Sequence, residues 1–243
     1  MKINDKKELY KDYISTHFGA IHGDKHDFKI QDRYYRKNYL KHLPPDKKIQ
    51  ILDLGCGMGQ FLFFLQNAGY KNVKGIDISR ENIEFCKEKN FNVEPGDVFV
   101  FLENTKDMYD VIVMNDIIEH LEKQEILRIM NLISGVLRPG GRLIVKAPNA
   151  ANPVMASSSR YSDFTHELLF TEESLSQVLR ITGFKHIILC PQDLYVMYYN
   201  PLNYIAKLCN FLLNAVFRLL FRFYGRKTTK IFTKNLIAVA IKE

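Results

Sequence analysis

Residues Ile51 to Gly59 read ILDLGCGMG, an apolar strand running into a turn that places glycine at every second position. A second apolar run, VKGID, then ends at Asp77. A glycine-rich turn after a buried strand lets the backbone approach a ligand, and an acid about 20 residues later can accept the hydroxyls of a ribose. Together the two segments read as the seat of a nucleoside-bearing cofactor.

The spacing bears on which cofactor. A dinucleotide fingerprint requires glycines as G-x-G-x-x-G, with the helix N-terminus facing a pyrophosphate. Gly55 and Gly57 fit it, but the third required position is Gln60, and Gly59 comes one residue early. The pattern D-x-G-x-G-x-G, led by Asp53 and including Cys56, instead resembles the first motif of class I S-adenosylmethionine-dependent methyltransferases, whose cofactor carries no phosphate. Later segments, from about Ile49 to Phe184, follow the order of that family. The resemblance implies that Asp77 holds the ribose hydroxyls with Ile78 against the adenine. It implies that Asp97, in EPGDV, takes the adenine edge with the Val98 N–H, and that the backbone of Asn115, ending YDVIVMN, lines the methionine portion. LRPGGRLIV, residues 137 to 145, resembles the turn into the family's fifth strand.

Strands are expected near residues 50–54, 73–77, 91–93, 109–115, 142–147, 186–195 and 235–241, alternating with helical stretches as in a doubly wound α/β sheet. The resemblance implies seven strands, mostly parallel, with the last antiparallel. Thr171 with Ser174 marks the start of a helix ending at Gly183. The expected organisation is an N-terminal helical lid over 1–48, a cofactor-binding core over 49–195, a basic amphipathic helical insertion over 196–230, and a final core strand over 231–243.

At 243 residues the chain suits a single α/β domain. Its start, MKINDKKELYKDY, lacks the apolar region of a secretory signal. Cys56, Cys86, Cys190 and Cys209 lie far apart with no CxxC pair, so neither a zinc site nor a disulfide framework is suggested. A cytoplasmic protein is expected, with a peripheral position on the inner face of the membrane as the alternative.

Two regions are candidates for the methyl acceptor. The long connection after the fifth strand, APNAANPVMASSSRYSDFTHELLF, falls on the ligand side of an open parallel sheet and carries Asp163 and His166. A histidine near neutral pKa suits removal of a hydroxyl proton, which makes His166 the first choice as general base, with stapling of the loop as its alternative. DFTHELLFT resembles methyltransferases of bacterial surface-glycan assembly, which implies a sugar or sugar-linked acceptor. After the fourth strand, NDIIEHL sets Asp116, Glu119 and His120 at i, i+3 and i+4, so a helix beginning at Asp116 would put them on one face. The E-H-L triplet resembles quinone-precursor O-methyltransferases, which implies a second acceptor class, a quinone-like or lipid precursor. Asp116 as a helix cap is the alternative reading of these residues. No metal is expected from three side chains of one turn. The spacing of His17, His22 and His26 suits neither a helix nor a finger, which leaves them, with Tyr13, as polar lid residues. A nicotinamide-dependent oxidoreductase and a non-catalytic cofactor-binding subunit are the readings from other classes.

Residues 201–224, PLNYIAKLCNFLLNAVFRLLFRFY, align Asn203, Lys207, Asn210, Asn214, Arg218 and Arg222 as one polar stripe on an otherwise apolar helix. Residues 196–243 hold eight Lys or Arg and one acid, a balance of +7 that equals the formal charge of the whole chain. Burial against the domain or a second subunit is favoured for this helix over contact with a membrane. Nucleic acid is not expected as a partner, because the cations are confined to one end.

Overall fold

A computed structural model of the chain describes residues 28–194, 196, 197 and 199–243. The expected lid residues 1–27, including Tyr13, His17, His22 and His26, lie outside the described residues. The described strands are β1 (Gln50–Leu54), β2 (Asn72–Asp77), β3 (Val93–Pro95), β4 (Tyr109–Asn115), β5 (Leu137–Pro148), β6 (Lys185–Pro191) and β7 (Asn235–Ile241). They form one seven-stranded sheet in the order β3-β2-β1-β4-β5-β7-β6. β1, β2 and β3 pair in parallel, while β7 runs antiparallel to both β5 and β6, the arrangement the resemblance implied. The chain divides into two compact units at Val113 and Met114.

In the first unit, β1 is buried from Ile51 to Leu54, as a central parallel strand covered on both faces must be. It is followed by α2 (Gln60–Asn67), α3 (Arg80–Glu88) and α4 (Val98–Asn104), and preceded by α1 (Phe28–Tyr39). α1 sets Tyr34, Tyr35 and Tyr39 into the core. Tyr35 and Tyr39 meet Phe61 of α2 edge-on, with ring centroids 4.9 and 5.2 Å apart. Such pairs contribute roughly 0.5–1.5 kcal/mol each beyond area burial, so α1 is a packed element of this unit.

The second unit contains α5 (Lys123–Val136), α6 (Ala156–Tyr161), α7 (Glu172–Ile181) and α8 (Pro201–Phe223). α7 begins at the expected cap, with the Thr171 side chain accepting from the Ser174 N–H. Its chain then turns through Gly183 at φ 89°. Two expectations are corrected here. No helix starts at Asp116: that residue is left-handed at φ 54°, a 3-10 turn covers Ile118–His120, and α5 begins only after Glu122, which is its cap. The connection after β5 holds α6 and is bolted down. The Asn149 amide donates to the carbonyls of Ile231 and Thr233 at 2.9 and 3.0 Å, and that of Asn152 to Phe232 at 2.7 Å. Finally, α8 contains no buried residue, so of the two expected partners, the domain and a second subunit, the domain does not bury it.

Candidate active site

In the first unit the glycine turn and the end of β2 are joined directly. Asp77 Oδ2 accepts the Gly57 N–H at 2.8 Å, while Oδ1 accepts the Ser79 N–H at 2.8 Å and the Asn82 amide at 3.1 Å. Burial pushes the Asp77 carboxyl up, against the downward pull of those three donors. A carboxylate has about four lone-pair sites, so three donors leave capacity for a ligand hydroxyl. Gly57 is left-handed at φ 53° with open space where a Cβ would stand, the geometry needed for close approach of a ligand to the backbone. These features fit an adenosyl cofactor. Gly55 is left-handed as well, at φ 62°.

Gly59 has a different duty: a Cβ there would lie 2.7 Å from the Phe91 ring, so its absence lets the start of α2 pack tightly. The following Gln60 opens α2. Cys56 is buried, and a hydrogen bond with Cys86, followed by burial, raises its thiol pKa, which makes it a neutral packing group. Asp53 is buried within β1 and Ile78 is half exposed just after β2. Asp97 caps α4, its Oδ1 accepting from the N–H groups of Phe99 and Val100, and Val98 is the first residue of that helix. Asn115 ends β4. A cavity of about 350 Å³ opens beside Asp97. It is lined by Lys74 and Ile76, which alternate along β2 with Asp77 and so occupy the other face of the strand.

In the second unit Glu119, His120 and His166 come together, each offering a ligand atom within 4.8 Å of the others. The backbone explains how. Glu119 O accepts from the N–H groups of Glu167 and Leu168 at 2.7 and 3.1 Å, which ties the 3-10 turn to the loop after α6. His166 Nδ1 bonds the Ser159 carbonyl at 2.5 Å. A carbonyl only accepts, so Nδ1 carries the hydrogen and Nε2 the lone pair. Thr165 Oγ1 donates to Asp163 Oδ1 at 2.6 Å and therefore accepts from His120 Nδ1 at 2.8 Å, fixing the same tautomer in the second ring. The two imidazoles meet edge-on, with centroids 4.6 Å apart.

Burial, and then the charge of His166, lowers the His120 pKa to about 4, so the ring is neutral at physiological pH. Glu119 is fully buried, Oε2 has no hydrogen-bond partner, and burial together with the neighbouring Asp116 charge raises its carboxyl well above the ordinary range. Asp116 acts on this trio through its charge, with its N–H bonded to the Lys146 carbonyl at 3.2 Å and its carboxylate paired with Lys146 Nζ. The trio can bind a hydroxyl and take its proton, and its ligand types also suit a divalent cation.

Four contributors escaped the sequence reading. Lys146, Thr165 and the Ser159 carbonyl gave no signal, because their roles depend on partners 7 to 45 residues away. Gly75 was visible in VKGID and could have been found: a Cβ there would lie 2.8 Å from Cys56 Sγ and 2.9 Å from Leu62 Cδ1. Its bareness lets the glycine turn lie against β2.

A family model described as a methyltransferase domain matches residues 28–188. The chain belongs to this family. The ubiquinone biosynthesis O-methyltransferase of Rickettsia felis is 31% identical over 157 residues, covering 60% of this chain and 62% of that protein. Phosphoethanolamine N-methyltransferase 1 of Zea mays is 28% identical over 156 residues, covering 60% of this chain and 30% of that protein. The chain thus spans about three fifths or less of these relatives' lengths. In fold, a SAM-dependent methyltransferase from Archaeoglobus fulgidus superposes with a TM-score of 0.65 at 20% identity, over 88% of this chain and 94% of that one. Family and fold together are those of the class I S-adenosylmethionine-dependent methyltransferases. The family match stops at residue 188 and leaves α8 outside it.

Proposed function

We propose that this methyltransferase moves the methyl group to an oxygen of a small acceptor, a phenolic hydroxyl of the quinone-precursor type, held by Glu119, His120 and His166. Support for the acceptor class comes from the relatives named for ubiquinone biosynthesis and from the E-H-L triplet at positions 119 to 121. The sugar acceptor suggested by DFTHELLFT rests on that resemblance alone and finds no counterpart among the named relatives. The observation that carries the reading is the fixed tautomer of His166, whose Nδ1 hydrogen is committed to Ser159 O, leaving Nε2 as the basic nitrogen beside a buried carboxyl.

The cofactor supplies an electrophilic methyl on a positively charged sulfur. Around it, the Gly55 and Gly57 backbone would accommodate the ligand, Asp77 would accept from the ribose, and Asp97 with the Val98 N–H would take the adenine edge. Asp53, Cys56, Gly59, Gln60 and Ile78 would shape that seat, and the backbone of Asn115 would line the methionine portion. His166 would take the acceptor proton at Nε2 as the oxygen attacks, because its Nδ1 hydrogen is committed to Ser159 O. Glu119, whose carboxyl burial pushes upward, would orient the acceptor, and His120 would hold Glu119 and His166 in place. Alignment at about 3–3.5 Å and exclusion of water supply the rest of the rate.

The test is labelled methyl transfer to alkylated catechols and, in parallel, to nucleotide-activated sugars. Catechols should be methylated, and His166→Ala should slow turnover by roughly 10²- to 10⁴-fold while S-adenosylhomocysteine still binds with its original affinity. Methylated sugars with untouched catechols would return the acceptor to the glycan class. An unchanged rate in His166→Ala would remove that residue from the chemistry.

A further inference from the structure

α8 is inside out compared with an ordinary surface helix. Asn200 starts it by accepting from the Leu202 N–H, with Pro201 at the first helical position. The least exposed positions along it are Asn203, Ala206, Asn210, Asn214, Phe217 and Phe221, spaced by three or four residues and so on one face. Over most of its length that inward face is small and amide-bearing. The apolar bulk is turned outward: Leu202, Ile205, Leu208, Phe211, Leu212 and Phe223 are 55 to 78% exposed. A surface helix normally buries its apolar stripe and shows its polar one. Here the order is reversed, so the missing partner must be apolar.

The ends of α8 restrict how it can meet that partner. It leaves from β6 and returns to β7, which are antiparallel neighbours. The return segment is fixed to the body of the second unit, where Glu172 accepts from the N–H groups of Lys230 and Ile231 at 2.6 and 2.8 Å, and Arg218 donates to the Lys230 carbonyl at 3.0 Å. By length and composition alone the 23 residues could cross a bilayer. With both flanks held on one side, the helix lies along a surface instead of passing through it.

Charge selects between a second copy and lipid. α8 carries Lys207, Arg218 and Arg222 and no acid, and Arg226, Lys227 and Lys230 follow it. Lys207 already pairs with Asp193 at 3.1 Å. Two copies joined through this helix would bring cations together in either orientation without a counter-charge on the helix. An anionic bilayer supplies the counter-charge and the hydrocarbon at once, and arginines at the edge of a submerged apolar face can reach the headgroups. We propose that α8 docks the enzyme on an anionic membrane, lying in the interface with its outward apolar face in the lipid.

The test uses the full chain with vesicles of phosphatidylcholine, alone or mixed with phosphatidylglycerol, followed by sedimentation. The protein should pellet with the anionic vesicles and remain largely in solution with the neutral ones. Phe211→Glu with Leu212→Glu should abolish pelleting. Arg222→Glu with Arg226→Glu should weaken it at least about tenfold, with added salt doing the same to the wild type. Unchanged binding of S-adenosylhomocysteine in both variants establishes that they are folded, and the readout is independent of which acceptor is methylated. Absence of vesicle binding, binding indifferent to Phe211 and Leu212, or a dimer in sedimentation velocity that these substitutions dissolve while vesicles stay bare would each overturn the proposal.

Discussion

Gly57→Ala separates the cost of folding from the cost of holding the cofactor. Gly57 is left-handed at φ 53°, and a Cβ built on it meets nothing within 4 Å. The folded protein therefore bears only the backbone penalty of an L-residue in that region, roughly 1–2 kcal/mol, which urea denaturation resolves. The Gly57 N–H that donates to the Asp77 carboxylate belongs to the backbone, so this bond survives the substitution. The added methyl instead occupies space reserved for a ligand approaching the turn. Over-packing of a closely fitted contact costs about 1–3 kcal/mol, so the dissociation constant for S-adenosylhomocysteine should rise roughly 5- to 150-fold. Calorimetry on the folded variant, at a urea-free condition where the stability loss leaves the population native, reads that change directly. A variant that is destabilised as stated yet binds S-adenosylhomocysteine like the wild type would refute the placement of the cofactor over Gly57.

Gly75→Ala is the converse case. Its Cβ would intrude to 2.8 Å from Cys56 Sγ, so stability should fall by about 1–3 kcal/mol in denaturant melts, and an unchanged midpoint would contradict the close contact between the turn and β2. Thr165→Val removes the hydroxyl that links His120 to Asp163. Turnover should drop by about an order of magnitude with cofactor affinity preserved, since loss of one hydrogen bond between polar groups costs on the order of 1 kcal/mol; a wild-type rate would mean that the His120 tautomer does not matter. His120 also sets a pH dependence: its pKa is about 4 in the fold against 6.5 unfolded, so between these values the unfolded chain binds more protons. Stability should therefore fall by about 3 kcal/mol as the pH drops from 6.5 toward 4 and then level off for this group. His120→Asn should flatten that part of the profile, and an unaltered slope in the variant would show that the ring is not kept neutral by its surroundings.

Short-range pattern made the cofactor half of the molecule legible. The bounds of β1, β4 and β7 agree with the apolar runs from which they were expected, because a central strand buried on both faces leaves a continuous hydrophobic signature. Thr171 and Ser174 announced α7 because a cap is a local bond between residues three apart. Asp116 was misread for a related reason. The i, i+3, i+4 spacing is a helical signal, but the Asp116 N–H still bonds Lys146 on another strand and its backbone is left-handed, so the chain leaves β4 through a turn and not into a helix.

What the amino-acid order determined by itself was the family, the sheet and the glycine turn with its distant acid, since these follow from hydrophobic period and from glycines that local geometry demands. Tertiary structure alone decided that His166 joins Glu119 and His120, and which nitrogen of each ring keeps its proton. It also decided that the apolar side of α8 faces outward. Periodicity identifies the two faces of a helix, but which of them is buried depends on what the rest of the chain sets against it.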